Sequence, residues 1–307
     1  MTRDGSPDSA APHEALDRFT HAAEVAAGDV IRTYSTSFGL ATRLLGRRHR
    51  RHIRNIYAMV RVADEIVDGV AAEAGLGHGE LDAALRDYRT ETHRAIRTGY
   101  SSDLVLHAFG RTARDAGIGE SLTDPFFDSM RSDLPSQDAG STFTAYDESA
   151  HERYVYGSAE VIGLMCLQVF LRDEARDDAD LETLRTGARQ LGAAFQNVNF
   201  LRDLADDTTR LRRGYLSGER RLTDADRDAW IRTIREQLDH ARRAIPLLPR
   251  DARTAVRSAL ALFEALADRI ERIPAAELYH RRVRVPGARK AVLVASAALR
   301  TWTEPRR

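Results

Sequence analysis

Two segments of this chain place carboxylates where an apolar helix face is expected. In 53–68, IRNIYAMVRVADEIVD, residues Tyr57, Arg61, Asp64 and Asp68 step by four, three and four, so they share one stripe of a helix. In 195–207, FQNVNFLRDLADD, residues Gln196, Asn199, Asp203 and Asp207 step by three, four and four and do the same. Unpaired carboxylates are costly among apolar side chains, so these face water, pair with arginines or hold cations. On one helix alone, a DxxxD spacing reads equally well as a solvated face bonded to Arg61 or Arg202. Two copies, both set in apolar sequence and both carrying amide, tyrosine or arginine neighbours, favour a common site. Facing carboxylate pairs suit magnesium, a hard ion that keeps waters and shares its sphere with substrate phosphates. A diphosphate leaving group is the natural partner. The cation offsets the charge that grows on it, and Arg61 and Arg202 add donors to its oxygens.

The elements that must position these stripes are helices. Apolar residues recur at helical spacing almost throughout, and β-branched runs are missing. Helices are expected over 14–36, 49–70, 79–98, 102–115, 123–131, 146–171, 179–207, 224–244, 251–272 and 288–301. Gly99, Pro135 with Gly140, and Gly214 punctuate them. There is no fixed-period repeat, low-complexity tract or Pro/Ser-rich linker, which favours an all-α single domain over 14–303, preceded by a frayed tail over 1–13.

Composition excludes several classes. Of 307 residues, 43% are hydrophobic and 30% charged, enough for a sizeable core. Lys+Arg and Asp+Glu are equal at 46 each, so no global field draws the chain to nucleic acid or acidic lipid. Cys166 is the single cysteine, which excludes an internal disulfide and thiolate metal clusters; on an apolar helix it reads as buried filler. No secretion signal is visible at the start, and the longest apolar stretch, 158–170, is too short to cross a bilayer. A cytoplasmic location follows as the expectation, with peripheral contact at the inner face of the membrane left open as a route for product release. The most basic run, 47–54 (RRHRRHIR), reads as a solvated helix start rather than a nucleic-acid surface. His49, His52 and His151 lack metal-ligand spacing, so surface or packing roles are expected of them.

At these residues the chain resembles the squalene and phytoene synthase family, over about 34–290. The segment 35–38 (STSF) is similar to the family's early serine-phenylalanine motif. Residues 56–68 resemble its first aspartate-rich motif and 196–207 its second. Between them, 154–163 (YVYGSAEVIG) resembles its tyrosine-containing helix, and 213–216 (RGYL) and 282–290 (RVRVPGARK) resemble two later basic segments. The wording is closer to the bacterial phytoene synthases than to the squalene synthases. Two departures stand out: Glu65 replaces an aspartate in DEIVD, and Phe263 occupies the place of a family tyrosine that meets diphosphate.

The resemblance implies an isoprenoid synthase helical bundle with a central cavity. It implies that Asp64, Asp68, Asp203 and Asp207 bind magnesium, with manganese as a substitute. Ser35, Tyr57, Arg61, Gln196, Asn199, Arg202, Arg213 and Arg282 would contact diphosphate or metal, Asn199 among the metal ligands, and Tyr154 would lie beside the reacting carbons. The implied reaction joins two geranylgeranyl diphosphates head to head through prephytoene diphosphate to phytoene, a step of carotenoid biosynthesis, with no nicotinamide cofactor. Squalene or dehydrosqualene synthesis from farnesyl diphosphate, a class I terpene cyclase and a non-catalytic scaffold are the alternatives. The cavity wall is expected to include Val161, Ile162, Met165 and Phe195, each of which also reads as ordinary core. Gly157, Ser158, Ala159 and Gly163 either leave space beside substrate or allow close helix packing.

Overall fold

The computed structural model describes residues 14–134, 144–145, 148–206, 213–214 and 221–304. The expected tail over 1–13, and Asp207, lie outside these residues; at 213 only the backbone is described. The helices are α1 (Glu14–Tyr34), α2 (Thr36–Arg43), α3 (Arg47–Val67), α4 (Val70–Glu73), α5 (His78–Thr98), α6 (Leu104–Ala116) and α7 (Glu120–Ser132). They continue with α8 (Glu148–Val155), α9 (Val161–Leu171), α10 (Asp178–Arg202), α11 (Leu204–Asp206), α12 (Asp224–Ala244), α13 (Arg250–Glu271), α14 (Ala275–Leu278) and α15 (Gly287–Thr303). Among the described residues the only extended pairing is a parallel one between Thr144–Ala145 and Arg213–Gly214. The all-α expectation holds.

Long helices α3, α9, α10 and α13 surround the centre of the molecule, with α5, α6 and α7 on one side and α12 and α15 on others. One continuous core runs through them, from Ile56 and Met59 of α3 to Leu201 of α10 and Ile270 of α13. Helix α2 was not expected. Ser35 starts it by accepting a hydrogen bond from Phe38 N at 3.1 Å, a serine N-cap that satisfies one orphan amide of the first turn.

Helices α8 and α9 are joined by a π turn over Tyr156–Glu160, so 149–171 is one continuous helical stretch that contains the apolar 158–170 read from sequence. By length and composition it would cross a membrane; here it packs against α3, α7 and α10. A Cβ on Gly157 would meet Ser129 Oγ at 2.0 Å and Pro125 O at 2.2 Å, and one on Gly163 would meet Ala188 O at 2.3 Å. These two glycines therefore serve close helix packing.

The basic run 47–54 is only partly solvated. Arg47 and Arg51 are exposed, but His49 and His52 are buried, and Arg48 bridges Asp251 at 2.9 Å and Glu174 at 2.8 Å. His52 Nδ1 pairs with Thr112 Oγ1 at 2.9 Å. Burial first, then the nearby Arg172 and Arg51, pushes the His52 imidazole down to about 3. The unfolded chain therefore takes up this proton before the folded one does. The resulting stability is fully present above the ordinary histidine value and is lost as pH falls towards 3. Unfolding titrations at pH 7 and pH 5 are expected to show His52 alone costing about 2 kcal/mol at the lower pH. In His52→Gln the pH 7-to-5 loss should shrink by that amount; an unchanged loss would contradict it.

Candidate active site

The central helices enclose a cavity of about 930 Å³, near the upper end of the range for small-molecule sites. Helix α10 forms one wall through Leu184, Gly187, Ala188, Leu191, Gly192, Phe195, Gln196, Asn199 and, at its C-terminal cap, Asp203. Their spacing of three and four is that of a single helix stripe, and 19 residues at 1.5 Å each make it roughly 28 Å long. The stripe is apolar from 184 to 195 and polar from 196 onward. Helix α3 repeats this gradient, from Ile53 and Ile56 through Tyr57 and Val60 to Arg61 and Asp64, with Asp68 as its C-cap. Both helices thus bring carboxylates and the negative ends of their macrodipoles to the same polar mouth, an arrangement that favours a cation there. Gly69, at φ 130°, lets the chain turn sharply as α3 ends, because only glycine adopts this conformation without strain.

At the mouth, Asp203 is held by two guanidinium groups. Arg202 reaches it at 2.5 and 2.9 Å, and Arg282 at 2.8 and 3.4 Å. On α3, Arg61 stacks over the Tyr34 ring at 4.5 Å, forms an ion pair with Glu65 and lies 3.9 Å from Asp64. Glu65 does not line the cavity. Glu65 holds Arg61, while Asp64 and Asp68 face the mouth. Arg61 Nε is buried without a partner among the described residues. Ser35 Oγ, besides capping α2, bonds the Tyr57 hydroxyl; burial pushes that hydroxyl upward from its ordinary value, against the pull of the Ser35 bond.

Tyr154 is 7% exposed, and its hydroxyl donates to Asp133 Oδ2 at 2.6 Å. The bond locks the tyrosine in the cavity wall, which both residues line. Asp133 was not foreseen: it caps α7, 21 residues from Tyr154 and outside any periodic motif. In the π turn, Ser158 Oγ is buried and unpartnered among the described residues and also faces the cavity.

Further in, Ile162 and Phe195 line the cavity as expected, whereas Val161 and Met165 are fully buried and point into the core instead. Phe195 stacks on Phe263 at 3.7 Å, and Phe38 stands about 6 Å from each. The position that lacks a hydroxyl is thus part of an aromatic wall. Cys166 also faces the cavity, and apolar burial pushes its thiol up to about 12, which leaves it an unreactive filler. His151 packs between Phe200 and Trp230.

The donor set suits magnesium. Asn199 Oδ1 is buried with no partner among the described residues, one turn before Asp203 on the same stripe. No three described acidic, histidine or cysteine side chains close into an all-protein cage; Asp64 and Asp68 stand on one wall and Asp203 on another. This open layout matches an ion that takes one or two carboxylates and completes its sphere with phosphate and water. Of the sequence-predicted residues, Ser35, Tyr57, Arg61, Asp64, Asp68, Tyr154, Gln196, Asn199, Arg202, Asp203 and Arg282 all line this one cavity.

A family model for squalene/phytoene synthase matches residues 31–289, nearly the whole folded chain. The chain belongs to the squalene/phytoene synthase family. It is 30% identical over 309 residues to phytoene synthase 3, chloroplastic, of Zea mays, covering 94% of this chain and 68% of that protein. To the phytoene synthase of Pseudescherichia vulneris it is 30% identical over 189 residues, 60% of this chain and 56% of that one. In fold it is similar to a dehydrosqualene synthase crystal structure, with TM-score 0.70, 20% identity, and coverage of 96% of this chain and 100% of that one. A squalene synthase from Alicyclobacillus acidocaldarius gives TM-score 0.68 at 18% identity, over 85% and 96%. The family places the chain among the prenyltransferase-type enzymes, and the helical bundle with its central cavity is the squalene/phytoene synthase fold.

Proposed function

We propose that residues 14–303 form one catalytic domain, working in the cytoplasm, that condenses two geranylgeranyl diphosphates head to head to phytoene by way of prephytoene diphosphate. The carrying observation is the graded cavity, with carboxylates and guanidinium groups at one end and about 17 Å of apolar helix face at the other, from 184 to 195. Magnesium, or manganese in its place, would be held by Asp64, Asp68, Asn199 and Asp203, with Asp207 expected to join them, and would offset charge on the departing diphosphate.

The chain's own groups do the remaining work. Arg202 and Arg282, now on Asp203, exchange the carboxylate for diphosphate oxygens, and Arg61 offers its unpartnered Nε; Arg213 and Gln196 are further candidates for this contact. One allylic C–O bond breaks with its electrons leaving on diphosphate, and the double bond of the second substrate attacks the cation and loses a proton as the cyclopropane closes. Loss of the second diphosphate, rearrangement and loss of another proton give the hydrocarbon. Diphosphate oxygen is the proton acceptor, the Tyr154 ring steadies positive charge, and the Phe38, Phe195 and Phe263 wall keeps water away.

The reading is supported by the phytoene synthase relatives and by the intact mouth carboxylates, which a non-catalytic scaffold would not need. Purified protein is incubated with magnesium and either farnesyl or geranylgeranyl diphosphate, with and without a nicotinamide cofactor. Phytoene from the longer substrate, independent of the nicotinamide, is the expected product. Consumption of the shorter substrate alone would overturn the assignment, and a cyclic hydrocarbon from one substrate would move it to the cyclases.

A further inference from the structure

Helix α15 has a face that the described residues leave uncovered. Val292, Leu299 and Trp302 are 57%, 60% and 77% exposed, and with Ala288, Ala291 and Ala295, also exposed, they fall within about a third of the helix circumference at 3.6 residues per turn. Such a contiguous apolar stripe is unlike the scattered single hydrophobes of an ordinary surface. The opposite face, at Ala297 and Thr301, is buried and packs on α13.

The charge on this helix has one sign. The chain as a whole balances 46 basic against 46 acidic residues, yet 287–303 contains Arg289, Lys290 and Arg300 and no acid. Arg289 and Arg300 are exposed on one margin of the apolar face. The first acid beyond them, Glu304, is tied to Arg253 and Arg257. More positive charge stands beside the C-terminal end of the helix: exposed Arg250 donates to Trp302 O at 3.2 Å, and its neighbour Asp251 O accepts from Gly46 N at 2.9 Å. That contact brings up the exposed Arg43 and Arg47.

We infer that α15 is a docking surface for an anionic lipid bilayer, with Val292, Leu299 and Trp302 seated at the acyl boundary and the arginines at the headgroups. An aromatic and aliphatic face rimmed by cations is the pattern of a helix that lies in the membrane interface, where indole is favoured and each basic side chain adds attraction to acidic lipid. A second copy of the chain fits less well, because a two-fold contact sets the patch against itself and gives these arginines no carboxylates. The buried side of the same helix adds continuity. Lys290, Leu293 and Val294 line a recess with Phe38 and Phe263, and Lys290, Phe38 and Phe263 also line the central cavity. Lipid on the outer face would lie about one helix diameter, ~10 Å, from that cavity. The value of this path to an apolar product rests on the proposed reaction; the docking does not.

The test needs no substrate. Full-length protein is sedimented with vesicles of phosphatidylcholine alone and of phosphatidylcholine mixed with phosphatidylglycerol. Partitioning onto the mixed vesicles is expected to exceed that onto the neutral ones about tenfold. The variant Val292→Ser/Leu299→Ser/Trp302→Ser, with unchanged circular dichroism, should lose about tenfold on mixed vesicles. Arg289→Glu/Arg300→Glu should lose the preference for the anionic ones. In a Trp230→Phe background, Trp302 emission should shift to the blue when mixed vesicles are added. Wild-type protein that stays in the supernatant, a triple variant that sediments like wild type, or an unmoved Trp302 emission would overturn the inference. So would a dimer in sedimentation velocity that the triple variant dissolves, which would make the face a contact between copies.

Discussion

Asp203→Asn, and separately Asp64→Asn, is expected to lower turnover about a thousandfold while leaving the helical circular dichroism unchanged. Each substitution keeps the size of the side chain and removes the charge that makes it a ligand for a hard cation. The structural cost is small. Asp203 lies at the mouth with 19% of its side chain exposed, and Arg282 opposite it is 45% exposed, so that ion pair is screened and worth about 1 kcal/mol or less, and the asparagine amide oxygen still accepts from the more buried Arg202. For a chain of this size that moves the melting temperature by only a few degrees. Initial rates over a magnesium titration, paired with thermal melts, separate the two effects. Wild-type turnover in either variant would remove the metal role, and a collapse of melting would assign these carboxylates to the fold.

The parts of the site that were legible in the sequence lie on single helix stripes. Asp64, Asp68, Asn199 and Asp203 could be placed because helical spacing fixes their common face before any tertiary contact is known. Contacts between elements were not legible. The Tyr154–Asp133 bond joins α8 to the cap of α7, and no periodicity links its partners. Arg282 reaches Asp203 across 79 residues, so its present partner is a carboxylate, although the family resemblance implies diphosphate or metal contact for it. Val161 and Met165 were placed on the cavity wall with Ile162 because apolarity alone does not say which way a side chain on a fully buried helix points. The π turn before them shifts the register that regular spacing assumes. Helix α2 was not expected because it lies almost wholly beyond the 14–36 segment, and its eight residues are too few for a helical apolar period to show.

Filling the apolar end of the cavity is expected to discriminate between substrates by tail length. Ala188 lies on the α10 stripe with its side chain toward the cavity, about 22 Å from the Asp203 cap at 1.5 Å per residue. A phenylalanine at 188 enlarges a side chain that faces open volume, so the core need not yield and the melting temperature should stay within a few degrees. A tail that reaches this depth meets the new ring, and overpacking of this kind costs about 2 kcal/mol, or roughly thirtyfold in kcat/KM. With Ala188→Phe, geranylgeranyl diphosphate should suffer that loss and farnesyl diphosphate less than about threefold. Inhibition by inorganic diphosphate should be unchanged, because Asp64, Asp203, Arg202 and Arg282 are all at the far end. Equal losses for both substrates would mean that the tails do not run along α10, and weakened diphosphate inhibition would mean that the two ends of the cavity are coupled through the helix itself.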